Sequence, residues 1–290
     1  MPSAVAIILP NGPILAVALV SLMHWTTCIP LNTNGTASEL SDDLRKVGAT
    51  AVIGLASFQT LAEDMGITFV KTQSIEGKVG LFHVHRESTI ACDSASVVET
   101  QPNSLEDNVL LLFTSGTTGN KRIVPYKLES IITGGTLIAT SWKLSPSDVC
   151  LNMMPLYHVG GILRQVVAPL LSGGCVICAE CFDPFLFWEL LAEARFTWYY
   201  AAPTMHHVIL QSKPTEKSLQ VAAQNLRFLA NAAGGLSPSL ATKLANTFPR
   251  ANVLPSYGST ECMPITSPPA NYSLEKPGKK KRRSGPQAAF

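Results

Sequence analysis

The densest chemistry in this 290-residue chain is the stretch T-S-G-T-T-G at residues 114–119, directly after an apolar run at 109–113. Four hydroxyl side chains and two glycines stand there without a carboxylate, and Lys121 and Arg122 follow at once. Glycines let a backbone turn tightly and bring its N–H groups close to a ligand. Hydroxyls donate hydrogen bonds, and adjacent cations pair with negative charge. Such a loop suits an anion, above all a polyphosphate. The competing reading is an ordinary Ser/Thr/Gly turn. The spacing is not that of a Walker A loop, because Gly116 and Gly119 are too close and no G-K-[ST] follows.

An anion loop needs a framework to aim it. Short apolar runs alternate with helix-like stretches along the chain, which predicts an α/β fold. Strands are expected at residues 5–9, 51–54, 68–71, 109–113, 150–154, 175–179, 198–201, 227–230 and 252–255. Helix starts are marked by the capping box Thr36-Ala37-Ser38-Glu39 and by Asp183-Pro184 and Ser237-Pro238, each a cap residue before proline. The apolar stretch 4–25 is broken by Pro10-Asn11-Gly12-Pro13, so it reads as strand, turn and buried helix; neither piece is long enough to span a membrane. With no basic region before it, a secretory signal is not supported. Residues 72–107 are polar and without a clear period, and read as a surface excursion. No internal repeat is found.

Composition bounds the function classes. Apolar residues make up 46% and charged residues 14%, which describes a well-buried globular chain. The net charge of +2 owes much to K-K-K-R-R at 279–283; without it the chain is slightly acidic. Nucleic-acid binding is therefore not indicated. Seven cysteines, an odd number at irregular spacing, suggest free thiols in a reducing compartment, and so a cytoplasmic location. The C-terminus does not support a peroxisomal one. Cys175, Cys178 and Cys181 form C-x-x-C-x-x-C, but no fourth cysteine follows, and core cysteines on a buried strand are the expectation. Residues 276–290, rich in Lys, Arg, Pro and Gly, are expected to be a basic disordered tail, either solvated or a localisation or phosphate-contact patch.

Three further segments accompany the loop, in order: M-M-P-L-Y-H-V-G-G at 153–161, N-A-A-G-G-L at 231–236, and Y-G-S-T-E at 257–261. Together with T-S-G-T-T-G they resemble the AMP-dependent synthetase and ligase superfamily, the adenylate-forming, acyl-CoA synthetase-like enzymes. The wording P-L-Y-H-V-G-G-I-L-R and Y-G-S-T-E-C-M-P-I-T-S-P-P is most similar to fungal peptide-synthetase-like and acyl-CoA-ligase-like proteins. The resemblance implies an α/β large N-terminal domain of stacked mixed sheets with flanking helices, here residues 1–275. It implies activation of a carboxylic acid by ATP and Mg²⁺ as an acyl-adenylate, ahead of transfer to a thiol. That thiol would be CoA or the phosphopantetheine of an acyl carrier domain.

The resemblance also implies roles for residues. Thr114, Ser115, Gly116, Thr117, Thr118 and Gly119 match the phosphate loop, with Arg122 beside it. Glu261 matches the carboxylate that ligates Mg²⁺, and Thr260 the donor to the α-phosphate. Tyr257, Gly258 and the backbone at Ala233 and Gly234 would frame the adenine. His158 would sit where nucleotide and acid meet, and Gly161 and His206 would line the acyl side. Each type has an ordinary reading too: a Glu is usually solvated surface, and a His after an apolar strand is usually a satisfied side chain.

The chain departs from the family pattern in two ways. The family loop continues x-Pro-Lys-Gly, whereas here Asn120 is followed by Lys121, Arg122 and Ile123; Arg and Lys are not equivalent at a phosphate. No T-G-D motif follows Glu261, and the hinge and the C-terminal lid domain with its lysine are missing. The expectation is most of one N-terminal domain, with a truncated, non-catalytic remnant that at most binds nucleotide as the alternative.

Overall fold

The computed structural model describes residues 4–87, 101–114, 121–194, 196–212, 216–231 and 233–273, which fall into two compact units. One unit is Met1–Ile132 with Pro155–Ile162. It begins β1 (Ala4–Ile8), α1 (Pro13–Leu22), β2 (Thr27–Pro30) and α2 (Ala37–Val47). It continues β3 (Ala51–Gly54), α3 (Gln59–Asp64), β4 (Thr68–Ser74), β5 (Phe82–Glu87), β6 (Asn108–Phe113) and β7 (Ile123–Lys127). These strands make one mixed sheet in the order β5-β4-β3-β1-β2-β6-β7, parallel except for the two outermost pairings.

Local chemistry explains the elements. Proline at the first position of α1 costs no hydrogen bond, and Gly12 before it takes a φ of 130° that side chains avoid. The expected capping box forms: the Thr36 hydroxyl accepts from the Glu39 amide at 3.2 Å, and Glu39 Oε2 accepts from the Thr36 amide at 2.8 Å. Leu40 and Leu44, four apart, then turn one face of α2 into a core with Ile8, Ile29, Val52 and Phe69. Helix α1 is less buried than expected, since Val17 and Val20 are exposed.

Residues 72–107 are not wholly irregular. Strand β4 runs on to Ser74, and β5 pairs with it antiparallel from Phe69–Glu87 to Ser74–Phe82. His83, Val84 and His85 are all exposed, so the short alternation F-H-V-H at 82–85 marks no buried face. It is an edge strand whose register comes from backbone bonding to β4.

The second unit is Thr133–Met154 with Leu163–Phe290. Its elements are α4 (Leu128–Ser141, begun in the other unit), β8 (Val149–Asn152), a π-helical stretch Gly160–Val167, α5 (Ala168–Leu171), β9 (Cys175–Cys178) and α6 (Pro184–Glu193). There follow β10 (Trp198–Ala201), α7 (Pro203–Gln211), α8 (Glu216–Asn225), β11 (Phe228–Asn231), α9 (Pro238–Thr247), β12 (Asn252–Pro255), β13 (Tyr257–Ser259) and β14 (Cys262–Thr266). Strands in the order β12-β11-β10-β8-β9 form a wholly parallel sheet, and β13 and β14 form a separate hairpin.

Every residue of β10 and β11 is buried, as central parallel strands require. Tyr199 faces Phe187, Phe196 and His206, while Trp198 stacks on Phe228 and meets Trp142, which directly follows α4. At the amino ends of these strands Asp148 is buried and fully engaged. It accepts from the Ser145 amide at 2.9 Å and the Thr197 hydroxyl at 2.9 Å, and pairs with Arg227.

The cysteine expectation needs correction. Cys175 and Cys181 are exposed and Cys178 is half-buried, because β9 is the edge strand of its sheet. Among the described residues no group of three potential ligands is placed to hold a metal ion, and no helix is long and apolar enough to cross a membrane. The expected tail at 276–290 lies outside the described residues.

Gly134 in α4 lets the helix approach the hairpin. A Cβ there would lie 2.6 Å from the Met263 carbonyl oxygen and 2.9 Å from Leu163 Cδ2. Gly134→Ala should therefore lower the unfolding free energy by about 1–3 kcal/mol, read as a shifted urea midpoint at unchanged m value. An unshifted midpoint would show that the backbone yields there at no cost.

Candidate functional site

The described candidates form one group in each unit. In the first unit, β1, β2 and β6 run parallel, so the chain leaving β1 and the chain leaving β6 emerge at one carboxyl edge. Ligands in parallel sheets bind at that edge, where loops and free backbone groups converge. Thr114 leaves β6 there, and the rest of the expected phosphate loop, Ser115, Gly116, Thr117, Thr118, Gly119 and Asn120, lies outside the described residues.

The base of that loop is closed. Thr114 N–H donates to the Arg122 carbonyl at 2.9 Å, and Arg122 N–H donates to Thr114 Oγ1 at 3.2 Å. The Thr114 hydroxyl thus holds the loop's two ends together. Lys121 is not a free cation either: its Nζ lies 2.6 Å from Asp43 and 5.6 Å from the centre of the Phe113 ring.

The turn carrying His158 stands at the same edge. Asn11, in the turn between β1 and α1, accepts the Leu156 amide on Oδ1 at 2.8 Å, and His158 N–H donates to the Pro155 carbonyl at 3.3 Å. The His158 ring packs 4.7 Å from Tyr157 and keeps an exposed edge. Protein around it disfavours the imidazolium and lowers its pKa, which keeps the ring neutral at pH 7. Gly161 is buried in the π-helical stretch that follows; such turns are rare and frequent at functional sites.

In the second unit three loops leave the carboxyl edge of adjacent strands β10, β11 and β12. Asn231, which ends β11, organises two of them. Its Nδ2 donates to the Gly234 carbonyl at 3.0 Å, and its own carbonyl accepts from the Ser256 amide and hydroxyl at 2.9 and 3.0 Å. Asn231 Oδ1 is buried and without a partner among the described residues. Ala233 adopts a φ of 57°, a left-handed conformation that costs a non-glycine residue about 1–2 kcal/mol. Gly234 faces Pro203 so closely that a Cβ would lie 3.2 Å from it. An unmet acceptor beside a strained, tightly packed turn is what a ligand-contacting loop looks like.

Beyond β12 the chain turns into the hairpin. Ser259 pairs with Cys262, so Thr260 and Glu261 are the two residues of its turn. Tyr257 is exposed at its start, Glu261 is exposed at its tip, and Thr260 is half-buried. A Cβ on Gly258 would meet the end of the Met263 side chain at 2.7 Å.

A model of AMP-binding enzymes matches residues 2–287. The chain belongs to that family. Among the relatives of this AMP-binding family member is an oxalate–CoA ligase of Arabidopsis thaliana, 29% identical, covering 99% of this chain and 56% of the relative. Another is an acyl-CoA synthetase of Gibberella moniliformis, 29% identical over 90% of this chain and 49% of its own length. The chain thus spans about half the length of these relatives. Among solved structures, ATP-bound MatB of Rhodopseudomonas palustris superposes with a TM-score of 0.77 at 21% identity, over 94% of this chain and 53% of that one. The N-terminal domain of FACL13 of Mycobacterium tuberculosis does so with 0.68 at 21%, over 90% and 63%. The α/β fold of this AMP-binding family member is therefore that of the N-terminal domain of adenylate-forming CoA ligases.

His206, expected on the acyl side, is wholly inside the core. Its Nδ1 lies 3.1 Å from the Tyr199 hydroxyl, and Nε2 has no aligned partner, although the nearby Ala230 backbone offsets a part of the desolvation. Burial lowers its pKa to about 4. Asn11, Asn231 and Asp43 were not foreseen; the signal available for the asparagines was a polar residue closing an apolar run.

His206 sets a pH dependence. Its folded pKa lies below the ordinary 6.5, so the unfolded chain binds the extra proton between those values. Its stability contribution is complete above pH 6.5 and is lost as pH falls to about 4, a loss of about 3 kcal/mol. Urea midpoints across that range should fall less steeply in His206→Asn; parallel profiles would disprove the assignment.

Proposed function

We propose that this chain binds ATP and a carboxylic acid and supplies the adenylating surface of a carboxylate–CoA ligase. The observation that carries this reading is the family match over nearly the whole chain, with Thr260 and Glu261 as the turn of a hairpin. The names of the relatives, oxalate–CoA ligase and acyl-CoA synthetase, support the acid and the acceptor classes.

In this reading the acid's carboxylate attacks the α-phosphorus of ATP, the bond to the bridging oxygen breaks, and pyrophosphate leaves. The loop from Thr114 to Gly119, with Arg122, binds the leaving phosphates through backbone N–H groups, hydroxyls and one guanidinium. Thr260 donates to the α-phosphate, where negative charge grows. The turn at Ala233 and Gly234, with Tyr257 and Gly258, holds the adenine, and the unmet Asn231 Oδ1 suits an amine donor. Neutral His158 and Gly161 border the acid. CoA is the favoured acceptor, with carrier-bound phosphopantetheine the other thiol of the same kind.

A divalent cation fits. Glu261 offers an exposed hard oxygen donor. Mg²⁺ is commonly held in this way, by one or two carboxylates plus substrate phosphates. When bound it would neutralise phosphate charge. Glu261→Ala should weaken Mg-ATP binding at least tenfold by calorimetry while leaving magnesium-free ATP binding nearly unchanged. Acid-dependent exchange of labelled pyrophosphate into ATP, over a panel from oxalate to aromatic acids, tests the activity itself. Mg-ATP binding without exchange would reduce the reading to nucleotide binding alone, and no binding would end it.

A further inference from the structure

The turn that carries Thr260 and Glu261 is only as well aimed as the base of its hairpin. That base rests on a residue outside the proposed chemistry. Arg164, in the π-helical stretch, is fully buried, and no carboxylate among the described residues pairs with it. Desolvation lowers its pKa to about 10, so it stays protonated at neutral pH. Burying a cation without a counter-ion is costly, and hydrophobic replacements of buried ions are often more stable. Arginine at such a place needs a reason other than stability.

Its contacts supply one. Nη2 donates to the Tyr257 carbonyl at 3.3 Å, on the first strand of the hairpin. Nε points at Met263 Sδ at 3.2 Å, on the second strand. Nη1 donates to Ser267 Oγ at 3.0 Å, immediately after that strand. Tyr257 pairs with Thr266, so the contacts to Tyr257 and Ser267 hold the open end of the hairpin, while the contact to Met263 reaches the second strand nearer its turn. The guanidinium also lies over two rings: its carbon is 5.3 Å from the centre of Trp142 and 5.6 Å from that of Tyr200. Those rings offset a part of the desolvation through cation–π attraction. Only a flat, five-donor fork can meet three acceptors in different directions while lying against aromatic faces.

We propose that Arg164 is a positioning residue, whose buried guanidinium fixes the base of the β13–β14 hairpin and thereby the direction in which Thr260 and Glu261 meet a metal-bound phosphate. The last clause rests on the proposed function; the clamp does not. Hydrogen exchange on the full 290-residue chain without ligand tests the clamp directly. In Arg164→Met, amides of residues 257–267 should exchange at least tenfold faster, with β10 and β11 unchanged. Arg164→Lys keeps the charge but not the fork, and should fall between. Unaltered exchange at 257–267, or an equal rise in β10 and β11, overturns the clamp.

The functional arm is the ratio of ATP affinity with and without magnesium. That ratio should fall at least fivefold in Arg164→Met and recover in part in Arg164→Lys; an unchanged ratio overturns the aiming role. If the wild-type chain binds no nucleotide, the proposed function fails while hydrogen exchange still decides the clamp. Should Arg164→Met not fold, Ser267→Ala, which removes one acceptor, must still speed exchange at 257–267, and no change there overturns the proposal.

Discussion

Strands β10 and β11 can exist only if both of their faces are covered, and most of the second unit follows from that demand. Trp198, Tyr199 and Tyr200 alternate across the sheet. They recruit α6 and α7 aromatics on one side, and Trp142 with Arg164 on the other. Parallel neighbours need crossovers, and α6 to α9 supply them while adding the cover. With both faces closed, ligand chemistry has only the strand ends left to use.

The two ends are built differently. At the amino end, buried Asp148 takes hydrogen bonds from Ser145 and Thr197 and pairs with Arg227, a satisfied network that locks β8, β10 and β11 together. At the carboxyl end, Asn231 spends its amide and carbonyl on the neighbouring loops and leaves an acceptor unmet, beside an alanine in a left-handed conformation. A buried carboxylate with its partners in place marks the end that holds the sheet. Unmet bonding and local strain mark the end that faces a ligand. The first unit repeats the theme with Asn11, which closes one loop and anchors the turn of His158.

Much of this was legible in advance, for identifiable reasons. Buried runs such as W-Y-Y-A and A-V-I-G declare their strands, and Thr36 with Glu39 declares a helix start, because these signals depend on near neighbours. Strand β5 was missed because its alternation, F-H-V-H at 82–85, is short, and as an edge strand it leaves His83, Val84 and His85 all exposed. Cys175 was misjudged for a related reason: a strand's composition does not say whether it lies at the centre or the edge. The contacts of Thr114 with Arg122 and of Lys121 with Asp43 were not legible, because those partners are set by the meeting of β6, β7 and α2.

The sequence by itself determined the family and the order of its motifs, since the residue types that grip phosphate, metal and adenine sit in short contiguous stretches. It also determined the alternation of helix and strand, because periodicity is local. Only the tertiary structure decided that Arg164 reaches across about a hundred positions to the hairpin bearing Glu261, that His206 lies in the core, and that Gly134 makes room for Met263. Close approach, burial and the satisfaction of a buried charge depend on what folds back onto a residue, and that is not written in its neighbours along the chain.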